Sequence, residues 1–446
     1  MVSSQLTAQD RKSGDSRGCL PSRRKKDLNF MKRNKRAHRG MVPFVLSVLC
    51  LLSFNTLAHA EAAFPKLAAK VEAKQPVTVV CFGDSVTGVY YHTGGRRAYT
   101  AMVEIGLQQA YPETDITAIN AGISGHTTVN ALARIDNDVL AKKPDLVTVM
   151  FGLNDMTRVP LEDYRANLKT IIAKCREIGA EVLLCTPNSV TTTEGRPTEK
   201  LEEYVAVVRE VAEAEATPLA DCYADFVTLW QRDRFEWAME MSDEIHPNMA
   251  GHKHIAEVIV EAVTGMPPNL SDVPALQPVL THTAARIAAK EPLNIIAMPP
   301  YDTIISKLLA EVAPESPVTM VPWIVEGQTV AEIEIASKGI RDKKYDLVFI
   351  AVPASATSEN PEAFLHEFGW ILSYSLSFGL QEWDVVAVPP SLAVPLEGEG
   401  KTRDEWQKRL IRAQDFPFID GDGGDIAAAE TTLRAWLTKQ VAMGVK

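Results

Sequence analysis

Residues 76–264 alternate between two hydrophobic periods. Short apolar runs at Val77–Phe82, Asp115–Asn120, Asp145–Phe151, Glu181–Thr186 and Pro218–Tyr223 have the length and β-branched character of buried strands. Between them lie stretches at helical spacing: Ala98–Ala110 with Met102, Ile105 and Leu107, then Val129–Leu140, then a run opened by Pro160. That run places Leu161, Tyr164, Leu168, Ile171, Ile172, Cys175 and Ile178 on one face before Gly179 stops it. Glu199–Ala214, Ala224–Arg234 and Ala250–Val263 complete the helices. Strands alternating with helices of this length predict a three-layer α/β/α domain on a parallel sheet. Ligands of such sheets sit at the carboxyl ends of the strands.

A Pro-rich stretch, residues 265–292, is the clearest shift in composition and reads as a linker holding a short helix near Thr281–Lys290. Residues 293–446 return to α/β patterning, with strands at Leu293–Met298, Tyr345–Val352 and Asp384–Val388 and helices at Thr303–Val312 and Ile426–Val441. Asn294–Pro300 stands where Val79–Ser85 stood; Tyr345–Pro353 parallels Pro144–Gly152, and Trp383–Pro390 parallels Ala180–Pro187. The expectation is a second, smaller α/β domain that is a degenerate copy of the first; an unrelated small α/β domain is the alternative.

Charge changes the picture at the N-terminus. Residues 1–60 hold 12 Lys/Arg against 3 Asp/Glu, so of the chain's 46 basic and 57 acidic residues 34 and 54 fall after residue 60, a net of −20. A body this acidic repels phosphate backbones, which sets nucleic acid aside as a partner. The basic stretch Arg23–Arg39, the apolar core Val42–Leu52 and the small-x-small site Ala58-His59-Ala60 follow the order of a secretory signal peptide, with cleavage expected after Ala60 and residues 61–75 as a lead-in. The expected location is outside the cytoplasm, with the membrane met only in transit; an uncleaved N-terminal anchor is the alternative. After cleavage Cys81, Cys175, Cys185 and Cys222 remain, read as small buried hydrophobes, with a bridge from Cys175 or Cys185 to Cys222 as the alternative. Their spacing suggests no metal site.

The chemistry lies at the strand ends. Val77–Phe82 stops abruptly at Gly83-Asp84-Ser85, delivering a serine to the sheet edge. Gly122 and Asn154 each follow a predicted strand and so fall on the same edge. A serine that cleaves esters needs a base within hydrogen-bond reach, a group to orient that base, and donors for the developing oxyanion. Ser85 is the candidate nucleophile and His246 the base, with Asp243 three residues earlier to orient the imidazole. The N–H groups of Ser85 and Gly122 and the side-chain amide of Asn154 are the candidate oxyanion hole. His92 and His126 lie near the edge as possible substrate contacts; His252 and His254 read as surface or satisfied core residues.

Gly83-Asp84-Ser85, Gly122, Gly152-Leu153-Asn154-Asp155 and Asp243-Glu244-Ile245-His246, in this order over residues 76–264, resemble the SGNH (GDSL-type) hydrolases. The resemblance implies a flavodoxin-like fold, serine esterase activity on carboxylic esters and no cofactor. Asp155 is expected to brace the loop that carries Asn154. The absence of Gly-x-Ser-x-Gly separates the chain from the common α/β-hydrolases. Export, the acidic surface and the loop bearing Tyr90, Tyr91, Arg96 and Arg97 suit an acetylated polysaccharide. A lysophospholipid or thioester substrate, or a vestigial carbohydrate-binding role, are the alternatives.

Overall fold

The computed structural model describes residues 63–379, 381–419 and 424–444. The leader expected in residues 1–60 lies outside them. Five parallel strands form the first sheet: β1 (Val77–Gly83), β2 (Ile116–Gly122), β3 (Leu146–Met150), β4 (Glu181–Cys185) and β5 (Leu219–Ala220), in the order β2-β1-β3-β4-β5. The fold is thus the parallel-sheet α/β architecture that the alternating pattern predicts. Strands β1, β3 and β4 are buried almost throughout, which is why they read as continuous apolar runs. Phe82 meets Phe151 edge-on at 5.2 Å in the core beneath the strand ends.

The chain winds outward from β1 to β2 and then returns across β1 to β3. That reversal opens a crevice at the carboxyl ends of β1 and β3. Gly83 pairs with Gly122 on one side and Met150 on the other, so the residues just past β1, β2 and β3 meet there.

A second sheet, β6 (Leu293–Ala297), β7 (Val318–Pro322), β8 (Leu347–Ile350) and β9 (Asp384–Ala387), is also parallel, with the order β7-β6-β8-β9. This reproduces the order of the first four strands, with no counterpart of β5 among the described residues. The sequence reading missed β7: it is a half-exposed edge strand ending in Pro322, without a continuous apolar run. At its own reversal point the second sheet carries Met298-Pro299-Pro300 where the first carries Asp84 and Ser85.

Both sheets fall within one compact unit, Cys50–Lys446. Arg97 makes a bidentate pair with Asp415, Nε to Oδ2 and Nη2 to Oδ1, both 2.8 Å. The two side chains are 7% and 4% exposed. Arg96 donates to the Leu276 carbonyl (2.8 Å) and Gln414 Nε2 to the Tyr91 carbonyl (2.9 Å). Arg96 and Arg97 therefore tie their loop to the second half of the chain, a correction to the expectation that they face substrate. Their partners lie far away in sequence, and only folding brings them near. All four described cysteines are free and buried. Among the described residues no helix is long and apolar enough to cross a membrane.

Candidate active site

Ser85 sits in a tight turn directly after β1. The Asp84 carbonyl accepts from the N–H groups of Thr87 (3.2 Å) and Gly88 (3.0 Å), and Asp84 Oδ1 accepts from Val86 N–H (3.0 Å). The turn lies against the end of β2 so closely that a Cβ on Gly122 would be 2.2 Å from Gly88 N. Glycine is needed there for that approach.

His246, the candidate base, is held by its own loop. Ser242 N–H donates to the His246 carbonyl (2.8 Å), closing a turn, and Asp243 Oδ1 accepts the N–H groups of Ile245 (2.8 Å) and His246 (2.7 Å). This fixes the Asp243 carboxylate beside the imidazole: Asp243 Oδ2 is 2.8 Å from His246 Nδ1. On the far side of the ring, His246 Nε2 is 2.8 Å from Ser85 Oγ. Asn248 then caps helix Met249–Thr264 through Ala250 and Gly251 N–H, anchoring the loop's exit. Burial raises the Asp243 pKa, but the facing His246 and its hydrogen bonds outweigh this and hold it well below the usual carboxylate range. An ionised Asp243 can orient the Nδ1–H tautomer of His246, an arrangement that would leave Nε2 able to accept from Ser85 Oγ.

The oxyanion donors are arranged differently from the expectation. Gly122 N–H donates to Asn120 Oδ1 at 2.9 Å. The side chain two residues back takes the proton that Gly122 was to offer, and Gly122 serves instead as the close-packed floor. On the same loop Gly125, at φ +74°, has its carbonyl bonded to Arg158, while its N–H has no partner among the described residues, and neither does that of Ser85. Asn154 follows β3 past Gly152, whose φ of +140° only glycine adopts easily. Its Nδ2 donates to Asp84 Oδ2 (3.2 Å) and the His126 carbonyl (3.1 Å), and its Oδ1 accepts from Arg196 Nη2 (3.3 Å). These are long contacts for a side chain only 5% exposed. Burial pushes Asp84 up to about 6. Asp155 Oδ1 accepts Thr128 N–H (2.8 Å) and Thr128 Oγ1–H (2.6 Å), capping helix Thr128–Asp138 from the Asn154 loop.

The other histidines divide. His126 Nδ1 accepts from Arg134 (3.1 Å), whose guanidinium also clamps the carbonyls of Gly83 and Ala121 at 2.8 Å, so His126 is structural. His252 is a satisfied core residue: its Nδ1 accepts Tyr99 N–H (2.9 Å), and burial lowers its pKa to about 3. His254 pairs with Glu240 at 2.8 Å. His92 is buried against the ring of His246. The sequence reading missed Arg134 and Arg196: Arg134 has a local partner in Asp138 four residues on, but the carbonyls it clamps and the Asn154 amide that Arg196 meets are supplied by the fold. Beside the Asp243 loop a cleft of about 840 Å³ is lined by Thr191, Trp230, Trp237 and, from the second half, Asn360 and His366. Ser85 and His246 do not line it. Trp237 is core, donating to Ser189 Oγ (2.9 Å), while Trp230 is exposed.

Comparison with known proteins bears on this site. The sequence model of the GDSL-like lipase/acylhydrolase family matches residues 81–254. An acetylxylan esterase of Geobacillus stearothermophilus is 31% identical over 177 residues, 37% of this chain and 80% of that protein. The human isoamyl acetate-hydrolyzing esterase 1 homolog is 28% identical over 234 residues, 46% of this chain and 90% of that protein. A solved structure of a lipase/acylhydrolase from Enterococcus faecalis aligns with 44% of this chain and 100% of its own at 29% identity, with a TM-score of 0.38. The protein is an ester hydrolase. It belongs to the GDSL-like lipase/acylhydrolase family.

Proposed function

We propose that this is an exported serine esterase that removes O-acetyl groups from polysaccharide. The observation that carries the catalytic reading is the unbroken chain from Ser85 Oγ to His246 Nε2 to Asp243, each step 2.8 Å. His246 takes the hydroxyl proton as Ser85 Oγ attacks the acyl carbon. The developing oxyanion is met by the N–H groups of Ser85 and Gly125, which have no partner among the described residues, with the Asn154 amide turning to it from its long contact to Asp84. His246 returns the proton to the leaving alcohol oxygen. Water, activated by the same imidazole, then attacks the acyl-enzyme and releases the acid, restoring Ser85.

The substrate reading draws on the similarity to an acetylxylan esterase and on the export-type N-terminus. A panel of acetylated xylan, lysophosphatidylcholine and acyl-CoA tests it. Acetate release from xylan is expected to exceed turnover of the other two, and preference for either would replace the substrate assignment. N-terminal sequencing of the exported protein is expected to begin at Glu61.

A further inference from the structure

His92 lies outside the three groups of the proposed triad, yet it touches two of them. Its ring stacks on that of His246 with centroids 3.8 Å apart and planes 14° from parallel. It is 5% exposed, and its Nδ1 is 3.4 Å from Asp243 Oδ2 without forming a hydrogen bond to it or to any other described group. A buried ring nitrogen left unpartnered costs stability, so the site retains His92 at a cost. Burial and the facing His246 keep its pKa well below the ordinary imidazole range, so it is neutral when His246 takes up a proton. The charged and titratable groups around it are His246, Asp243, His252 and Arg341.

What holds His92 comes from the other half of the molecule. Its neighbour Tyr91 lies under the Arg341 guanidinium (4.3 Å) and against Phe378 (5.8 Å) and Trp370 (6.4 Å), and Gln414 holds the Tyr91 carbonyl at 2.9 Å. The Asp243 loop is held from the same side: Ser242 Oγ is 3.1 Å from Ser373 Oγ, and Glu244 is 3.1 Å from His366 Nε2.

We propose that His92 is a positioning residue for the base: its flat ring, held by the second half of the chain, packs on the face of His246 and fixes the tilt that points Nε2 at Ser85. This rests on the reading of His246 as the base. A misdirected base loses proton transfer while leaving substrate binding alone.

The test is the kinetics of His92→Ala and His92→Phe on p-nitrophenyl acetate. The alanine variant is expected to lose kcat by about 10- to 100-fold with KM within about twofold of the parent. The phenylalanine variant keeps a flat partner and is expected to restore kcat to within about threefold. Should the alanine variant melt below the assay temperature, His92→Leu, of similar volume without a flat ring, takes its place with the same expected loss of kcat. Unchanged kcat in His92→Ala would overturn the proposal, as would equal losses in the alanine and phenylalanine variants. Ser85→Ala run alongside separates the two levels: if it stays active the triad reading itself fails, and if it is dead while His92→Ala is normal only the role of His92 fails.

Discussion

The Arg97–Asp415 pair makes a quantitative claim about how the halves of the chain are joined. Replacing Arg97 by Met keeps the volume and removes the charge, leaving Asp415 4% exposed without the guanidinium that met both its oxygens. Breaking one side of a buried pair costs about 3–5 kcal/mol, because the remaining charge stays desolvated. Burial already raises the Asp415 pKa against the pull of Arg97, and without Arg97 it rises further. The native state then binds a proton more tightly than the unfolded chain. Stability is therefore retained at low pH and lost as pH rises through the folded pKa. Urea unfolding of Arg97→Met is expected to show a loss of about 3–5 kcal/mol at pH 8 and a smaller loss at pH 5. The double variant Arg97→Met/Asp415→Leu, with no stranded charge, should recover most of it. A loss below about 1 kcal/mol at pH 8, the scale of exposed pairs, would refute the reasoning.

Two further outcomes bear on the site. Asn154→Ala is expected to lower kcat on p-nitrophenyl acetate by about 10²–10³-fold with little change in KM, the scale of losing one oxyanion donor; an equal rise in KM would show that the amide binds ground state and transition state alike. Asp84, pushed up to about 6 by burial from 3.8, holds its proton more tightly in the folded state. Its contribution to stability is present in acid and lost as pH rises from about 4 through 6, about 3 kcal/mol in all. In Asp84→Asn the unfolding free energy should be correspondingly flatter over that window, and an unchanged slope would remove Asp84 as its cause.

The sequence carried the site's chemistry because parallel strands end on one edge. Ser85 and Asn154 could be placed together without knowing any tertiary contact. Asp243 and His246 were legible for a more local reason, a three-residue turn in which the carboxylate bonds its own backbone. The expected Gly122 donor was not legible as occupied: Asn120, two residues back, accepts the N–H of Gly122, and strand periodicity carries no record of that. His92, Arg96 and Arg97 read as a polar loop open to substrate because their partners His246, Leu276 and Asp415 are more than 150 residues away. The common strand order of the two halves was foreshadowed by matching apolar runs. The edge strand β7 was not, because an edge needs no continuous apolar run.

The proposed mechanism stands on Ser85 as the nucleophile. A fluorophosphonate that labels activated serines, followed by peptide mapping, tests it most directly. A single adduct on Ser85 is expected, lost in Ser85→Ala together with ester hydrolysis, a fall on the order of 10⁶ in kcat. An adduct on any other serine, or a Ser85→Ala variant that retains its turnover, would overturn that role.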